Sequence, residues 1–182
     1  MTATSSTPSK HYSAKEQRNI ARLKEYVRIV HNDHGIQAFP RFFSPNFQNP
    51  DAKAILGDDG IDAKAKSHVQ SSQHLHELLV QAFPDMRTTL LDITADGDKV
   101  WAWMKFEGTH TGEWKMPPNG DDNGSRSIIA PTNQPFSFNK MGIMTFEKET
   151  GLIVSHSAVT DFPEKIGRLQ NAVAAKVVGD DQ

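Results

Sequence analysis

Two stretches in the first half of the chain carry apolar side chains at the spacing of an amphipathic helix. The first runs from Ser13 to Asn32, where apolar positions recur every three or four residues and basic residues lie between them. Ser13 and Glu16 have the spacing of a capping box, which marks the start of a helix. The second covers about residues 64–83 and ends at Pro84, since proline cannot continue a helix. The pattern therefore predicts two long helices.

The segment between these helices is rich in residues that break regular structure. Gly35 ends the first helix, and residues 36–43 allow only a short helix because they contain Pro40. Ser44–Asn46 predicts a turn, and Gly57–Gly60 predicts another break. We therefore expect a connection without a long helix or strand.

After Pro84 the apolar positions alternate, which is the pattern of β-strands. Turn residues divide this region into two predicted hairpins, with strands at 86–95, 100–110, 136–147 and 152–160. Residues 115–135 contain four prolines and predict a long loop between the hairpins, and helical spacing returns at 163–178. Helices followed by antiparallel strands predict an α+β fold, in which the helices pack on the concave face of a curved sheet and enclose an apolar pocket.

Length, charge and composition narrow the class of protein. The 182 residues fit one domain, which we place at residues 13–178 after a disordered lead at residues 1–12 that is rich in Ser and Thr. A net charge of -2 offers no positive field to a phosphate backbone, so we expect no nucleic-acid partner. No apolar run approaches the ~18 residues of a membrane span, and no secretory signal is visible, so we expect no membrane partner and a cytoplasmic location. The absence of cysteine excludes disulfides and thiolate chemistry.

Four separated segments of the chain share their order and spacing with one known family. They are Ala82–Asp85, Gly97–Val100, Gly108–Gly112 and Gly151–Asp161. Over about residues 15–175 the chain resembles the SnoaL-like polyketide cyclase family. The resemblance implies the cone-shaped fold of nuclear transport factor 2-like proteins. It also implies a cofactor-free enzyme of aldol ring closure, with isomerases and dehydratases among its structural relatives.

The same resemblance implies site residues. It makes Asp161, at the end of the last predicted strand, the acid–base residue. Two positions differ from the family pattern: Ser157 stands where the family has Trp, and Asn49 stands where a segment that begins at Phe47 usually has His. These differences, and a loop at 115–135 that is longer than usual, bear on the substrate more than on the fold.

Asp161 has two interpretations from the residues themselves. If it faces an apolar pocket, the pKa of its carboxylate is raised and the group can exchange protons near neutral pH. Asp161–Glu164 is also a capping signature for the helix predicted at 163–178, with Pro163 in its first turn. Catalysis requires a side chain that points into the pocket, whereas capping requires one that points at the amides of the helix. Both stay open.

His110 is the second catalytic candidate. Strand alternation places it on the same face as Met104, whereas Trp101 and Trp103 lie on the opposite face. An imidazole on the apolar face could polarise a substrate carbonyl or orient Asp161. The alternative is a buried histidine bonded to a backbone carbonyl. If both candidates are catalytic, we expect them to meet in one pocket, whose substrate-binding residues are Met104, Ser157, Phe83, Phe47 and Asn49.

Histidines also raise the question of a metal site. His68, His74 and His76 are close in sequence but point in different directions round a helix. We interpret His31 and His34 as solvated histidines at the end of the first helix. The sequence therefore predicts no metal, and because it contains no glycine-rich phosphate loop, it predicts no nucleotide cofactor.

The leading functional hypothesis is a cofactor-independent cyclase or isomerase. It would act on a polyketide-like or terpenoid carbonyl compound by acid–base proton transfer, in an aldol-type ring closure or an isomerisation. The alternative is a non-catalytic member of the same fold that binds a small ligand or a protein partner. Because Trp101 and Trp103 would be exposed in a monomer, we also expect a homodimer that covers them, with Lys105 and Glu107 pairing across the interface.

Overall fold

The computed structural model describes residues 11–49, 67–115 and 128–179, with side chains described up to residue 171. The first ten residues of the predicted lead, the Gly57–Gly60 break and the centre of the predicted loop lie outside these ranges. The helices are α1 (Ala14–Tyr26), α2 (His68–Ala82) and α3 (Phe162–Gly179), and the strands are β1 (Phe43–Gln48), β2 (Arg87–Asp96), β3 (Lys99–Thr109), β4 (Trp114–Lys115), β5 (Ile128–Ile129), β6 (Pro135–Phe146) and β7 (Ile153–Thr160).

Helix α1 begins at the predicted capping box. The backbone N–H of Glu16 donates to Oγ of Ser13 (3.3 Å), and the backbone N–H of Ser13 donates to Oε2 of Glu16 (2.7 Å). After Tyr26 the helix widens into a π-helical turn at Val27–Asn32. The helical prediction for this stretch is confirmed, although its last turn is not α-helical.

Two predicted boundaries are wrong. Tyr12 falls within the predicted disordered lead, but its ring packs against the core and its hydroxyl donates to Oγ1 of Thr94 (3.3 Å). The predicted loop at 115–135 is not wholly irregular, because Trp114 and Lys115 pair with Ile129 and Ile128 as a small two-stranded sheet.

The turn predicted at Ser44–Asn46 is also wrong, because these residues belong to β1. The strand follows a 3-10 helix at Ile36–Arg41 and lies at an edge of the main sheet. Pro45 has no N–H to donate, and an edge strand tolerates this because one of its sides has no neighbour. Since β1 runs parallel to β7, the sheet is mixed and not wholly antiparallel as predicted.

The two predicted hairpins are confirmed and form the rest of the sheet, whose order is β1-β7-β6-β3-β2. Alternating side chains build an apolar inner face, with Val100, Ala102 and Met104 of β3 beside Phe136 and Phe138 of β6, all buried. Helices α1 and α3 contact this sheet and help to enclose the core. The fold is therefore α+β. Within the described ranges, no helix is long and apolar enough to cross a membrane.

Candidate functional site

A cavity of about 380 Å³ lies over the inner face of the sheet, which falls within the ~300–1,000 Å³ of small-molecule sites. Its wall is mostly apolar and includes Phe39, Phe43, Leu79, Met104, Phe138 and Met144. The ionisable side chains in the described part of the wall are Tyr26, His31, His76, Lys140 and His156. No aspartate or glutamate belongs to that part of the wall, and three of its five ionisable side chains are histidines.

His76 projects from α2 and is held by the backbone of the π-helical turn. Its Nε2 lies 3.1 Å from the carbonyl oxygen of Val30. A carbonyl oxygen only accepts, so Nε2 carries the proton and the neutral ring has its lone pair on Nδ1. The side chain lines the cavity and is only 7% exposed. The hydrogen bond to Val30 therefore fixes both the tautomer and the orientation of a basic ring.

His31 belongs to the π-helical turn itself and stacks on His76. The ring centroids are 4.8 Å apart and the planes differ by 24°. Nδ1 of His31 lies 3.2 Å from Oγ1 of Thr88 on β2. The interpretation of His31 as a solvated residue is wrong, because folding the π-helical turn against β2 buries the ring.

Asn32 attaches the π-helical turn to the edge strand β2. Its Nδ2 donates to the carbonyl oxygen of Thr88 (3.0 Å), and the backbone N–H of Thr88 donates to its Oδ1 (2.7 Å). Widened turns of this kind are frequent at functional sites. Here the turn supplies one cavity histidine, His31, and the carbonyl that holds another, His76.

His156 enters the cavity from β7, opposite Met144 on β6. Its Nε2 is buried and has no hydrogen-bond partner among the described residues. Gly142 makes room for it, because a Cβ at that position would lie 3.3 Å from this nitrogen and 3.4 Å from Cε of Met104. A third imidazole thus lies among apolar groups.

Burial keeps these three histidines uncharged near neutral pH. Desolvation lowers the pKa of His31 well below its usual value, and the nearby His76 and Lys140 lower it further. Desolvation likewise lowers the pKa of His156 far below 6.5, with a further contribution from Lys140. The pKa of His76 falls to about 4, because desolvation outweighs the opposing hydrogen bond to Val30. Each ring is therefore a proton acceptor at pH 7.

Lys140 lies on the inner face of β6. Strand alternation places it in the row of Phe138 and Gly142, and its half-buried side chain lines the cavity. Its positive charge acts on all three histidines, since it lowers the pKa of each. The site therefore combines uncharged bases with a cation in an apolar wall.

Asp161 precedes α3 and is half-buried, but it is not among the residues that line the cavity. Its Oδ1 accepts a hydrogen bond from the backbone N–H of Asn139 on β6 (2.6 Å). The carboxylate therefore neither points into the cavity, as catalysis requires, nor bonds to the amides of α3, as capping requires. It bonds to the sheet. The side chain joins β6 to the end of β7, and its role in catalysis stays a prediction.

His110 is fully buried but lies outside the cavity wall. The chain leaves β3 at Thr109, and the backbone N–H of Thr111 then donates to the carbonyl of Ala82 at the end of α2 (3.1 Å). This turn carries His110 away from the cavity. Outside the cavity, Nδ1 of His110 accepts from the backbone N–H of Thr132 (3.4 Å). The expected meeting of His110 and Asp161 in the cavity is therefore wrong.

Of the five predicted substrate-binding residues, three line the cavity and two do not. Met104, Phe47 and Asn49 line the cavity, and Nδ2 of Asn49 donates to Oγ of Ser72 (2.9 Å). Phe83 is fully buried and does not line the cavity. Its ring centroid lies 5.1 Å from that of His110. Ser157 is exposed, because strand alternation gives the inward position to His156. Contact with a substrate stays a prediction for all five.

Sequence reasoning missed the ionisable groups of the cavity, although His76 and Lys140 each had a signal. His76 is seven residues after Val69 and three before Leu79, which places it on the apolar side of α2. Lys140 follows Phe138 by two residues, which places it on the inner face of β6. Within the described ranges, no three His, Asp or Glu side chains form a group that could hold a metal ion.

Comparison with known proteins agrees with this architecture. The model of the SnoaL-like polyketide cyclase family matches residues 21–164. TsrD from Streptomyces laurentii has a similar structure, with a TM-score of 0.61 at 19% identity over 85% of this chain and 96% of its own. A SnoaL-like polyketide cyclase from Agrobacterium tumefaciens C58 has a TM-score of 0.54 at 14% identity, over 82% and 95%. These likenesses support the cone-shaped α+β fold. No curated protein matches the sequence.

Proposed function

The chain belongs to the SnoaL-like polyketide cyclase family, and we propose that it is a cyclase or isomerase acting on an apolar polyketide-like or terpenoid carbonyl compound. The observation that carries this proposal is His76, an uncharged imidazole of fixed tautomer in the wall of an apolar cavity. A general base of this kind speeds proton transfer by about 10²–10⁴.

The proposed step begins at a carbon atom next to the carbonyl group. Nδ1 of His76 takes the proton, the electrons of the C–H bond form a carbon–carbon double bond, and the negative charge moves to the carbonyl oxygen. In a ring closure, the enolate carbon attacks a second carbonyl carbon, and the alkoxide that forms takes the proton back from Nδ1 of His76. In the isomerisation of an unsaturated ketone, the dienolate takes the same proton back at a different carbon. No electrons leave the substrate, so we propose a reaction without a redox cofactor.

Enolisation of a model ketone tests the proposal without knowledge of the natural substrate. In deuterated water, we expect the protein to accelerate exchange of the hydrogen beside the carbonyl of β-tetralone, with saturation as the ketone concentration rises. Proton NMR follows the loss of the signal. Ala158 lines the cavity, so Ala158→Phe should lower the rate by filling the space, whereas Ile128→Phe, on an exposed strand away from the cavity, should not.

A rate equal to that of buffer would contradict the enzymatic proposal. If β-tetralone then still binds, as isothermal calorimetry would show, the result supports the alternative function, a non-catalytic protein that binds small ligands. The alternative predicts binding that Ala158→Phe abolishes and an exchange rate that never exceeds that of buffer. The two functions therefore give opposite NMR results.

We also propose that the protein forms a homodimer through the outer face of the sheet. Exposed apolar side chains form a row across three neighbouring strands, because Trp103 is opposite Met141 and Met141 is opposite Val159. Buried aromatic residues are typical of the centre of such interfaces. Lys105 and Glu107, which we predict to lie at the interface, form an ion pair within one strand of the single chain (2.7 Å).

The dimer is tested by light scattering at micromolar concentration. We expect twice the chain mass of 20.2 kDa for the wild type and a single chain mass for Trp103→Glu, because a buried carboxylate in the row would oppose association. Ile128→Glu is the matched control, since Ile128 is exposed outside the row. A wild-type mass near 20.2 kDa would rule the dimer out.

A further inference from the structure

His156 differs from the other two histidines of the cavity wall in having a buried nitrogen without a partner. His76 bonds to the carbonyl of Val30, and His31 bonds to Thr88. Among the described buried side-chain nitrogen and oxygen atoms that lack a hydrogen bond, only Nε2 of His156 belongs to a residue of the cavity wall. The side chain is 8% exposed, and a buried polar atom without a partner is unfavourable. A ligand that supplies the missing hydrogen bond would remove this cost.

The groups around the ring of His156 are small or flexible. A Cβ at Gly142 would lie 3.3 Å from Nε2 and 3.4 Å from Cε of Met104, so the nitrogen and the end of Met104 lie over the same glycine. Met144 is opposite His156 on β6, and both methionines line the cavity. Because methionine side chains adapt to irregular shapes, a polar group in the cavity can reach Nε2 when they move aside.

The uncharged ring defines the group that it can bind. Because desolvation lowers the pKa of His156 well below 6.5, the ring is neutral at pH 7, with one nitrogen that donates and one that accepts. If Nε2 carries the proton, the ligand must accept a hydrogen bond, and if Nε2 has the lone pair, the ligand must donate one. A hydroxyl group does both, whereas a carbonyl oxygen only accepts. A hydroxyl group therefore fits His156 in either tautomer.

We propose that His156 is a specificity-determining residue, which gives the cavity a preference for apolar compounds with a hydroxyl group by forming a hydrogen bond to that group. The proposal rests on the proposed function in one respect, because it adds a hydroxyl group to the carbonyl compound on which His76 acts. In that reaction His156 binds the substrate, whereas His76 moves its proton. The preference itself is measured by binding, without any reaction.

Two uncharged ligands of similar shape separate the hydroxyl group from the apolar body. 2-Naphthol has a hydroxyl group where 2-methylnaphthalene has a methyl group, and NMR titration of the labelled protein at pH 7 measures the dissociation constant of each. The preference is the ratio of these two constants. We expect His156→Leu to shift the ratio against 2-naphthol by at least about tenfold, the size expected for one hydrogen bond to a buried group.

Two further variants make the binding test specific. His156→Gln retains a donor and an acceptor, so its ratio should lie closer to that of the wild type than the ratio of His156→Leu does. His74→Gln changes a histidine whose side chain is 40% exposed, and this matched control should give the wild-type ratio. An unchanged ratio in His156→Leu would overturn the proposal.

A measurement on the wild type keeps the proposal testable if His156→Leu does not fold. Long-range proton–nitrogen NMR detects a hydrogen bond at an imidazole nitrogen by its change in chemical shift. We expect the Nε2 signal of His156 to move when 2-naphthol is added and to stay nearly constant with 2-methylnaphthalene. The signals that are missing in His156→Gln identify this ring. Equal changes with both ligands, or none with either, would overturn the proposal.

The binding result and the exchange result are independent. If β-tetralone exchange is accelerated but His156→Leu leaves the ratio unchanged, the role of His156 is wrong and the proposed function stands. If the ratio shifts but exchange does not exceed that of buffer, the preference for a hydroxyl group stands and the catalytic proposal is wrong.

Discussion

Replacing His76 with glutamine is expected to lower the rate of β-tetralone exchange by about 100-fold or more, the contribution of a general base. A glutamine amide can reach the carbonyl of Val30 in the place of Nε2, but it has no basic lone pair in the place of Nδ1. The variant therefore removes the proposed chemistry and retains the hydrogen bond. We expect the affinity for β-tetralone to change little, so the loss should be in kcat and not in KM.

Two further variants make this prediction specific. His74→Gln changes a histidine of the same helix whose side chain is 40% exposed, and it should leave the exchange rate unchanged. Asp161→Asn tests the carboxylate that the family resemblance implies as the acid–base residue. Because Asp161 bonds to β6 and does not line the cavity, we expect most of the exchange rate to remain. If Asp161→Asn abolishes exchange and His76→Gln does not, the catalytic base is the carboxylate and our proposal is wrong.

The second large effect concerns stability in acid. In the unfolded chain a histidine takes a proton as the pH falls through about 6.5, whereas His31, His76 and His156 stay neutral in the folded protein. Below that pH the unfolded state binds more protons, so the free energy of unfolding decreases as the pH falls. For His76 the decrease continues to about pH 4 and amounts to about 3 kcal/mol. This is a large part of a typical domain stability of about 5–15 kcal/mol.

Urea denaturation at pH 7, 6, 5 and 4 measures this effect. We expect the free energy of unfolding to fall steadily over the series, and His76→Gln should reduce the total fall by about 3 kcal/mol because glutamine does not titrate. His74→Gln should follow the wild type. The lowered pKa of Asp85, whose carboxylate accepts from the backbone N–H of Thr109, adds a loss of stability at the acid end of the series, but this loss is common to the wild type and His76→Gln and cancels in their comparison. A stability that is constant from pH 7 to pH 5 would contradict the burial of uncharged histidines.

Local patterns in the sequence were sufficient to predict most of the fold. The capping box at Ser13 and the alternation of β3 and β6 depend on neighbours a few residues away, so they can be read from the sequence. Strand β1 could not be predicted in this way. Its Ser-Pro-Asn sequence has the composition of a turn, and it becomes a strand only because β7, more than a hundred residues later, pairs with it.

The site was harder to predict than the fold. Met104, Phe47 and Asn49 line the cavity. Strand alternation points to Met104, and the family resemblance points to Phe47 and Asn49. His31 was assigned to solvent, because helical spacing alone does not show that the π-helical turn packs against Thr88. The catalytic interpretation of Asp161 requires its side chain to face the cavity, as the neighbouring Thr160 and Phe162 do. The bond to Asn139 instead directs the carboxylate to β6.

The most direct test of the central claim is the protonation state of His76, measured by long-range proton–nitrogen NMR of the labelled protein at pH 7. We expect a neutral ring with its proton on Nε2 and an unprotonated Nδ1, whose resonance shifts when β-tetralone is added. His76→Gln identifies the signals by their disappearance. A ring protonated on both nitrogens at pH 7, or a neutral ring with its proton on Nδ1, would show that His76 is not the base, because neither form has a free lone pair on Nδ1.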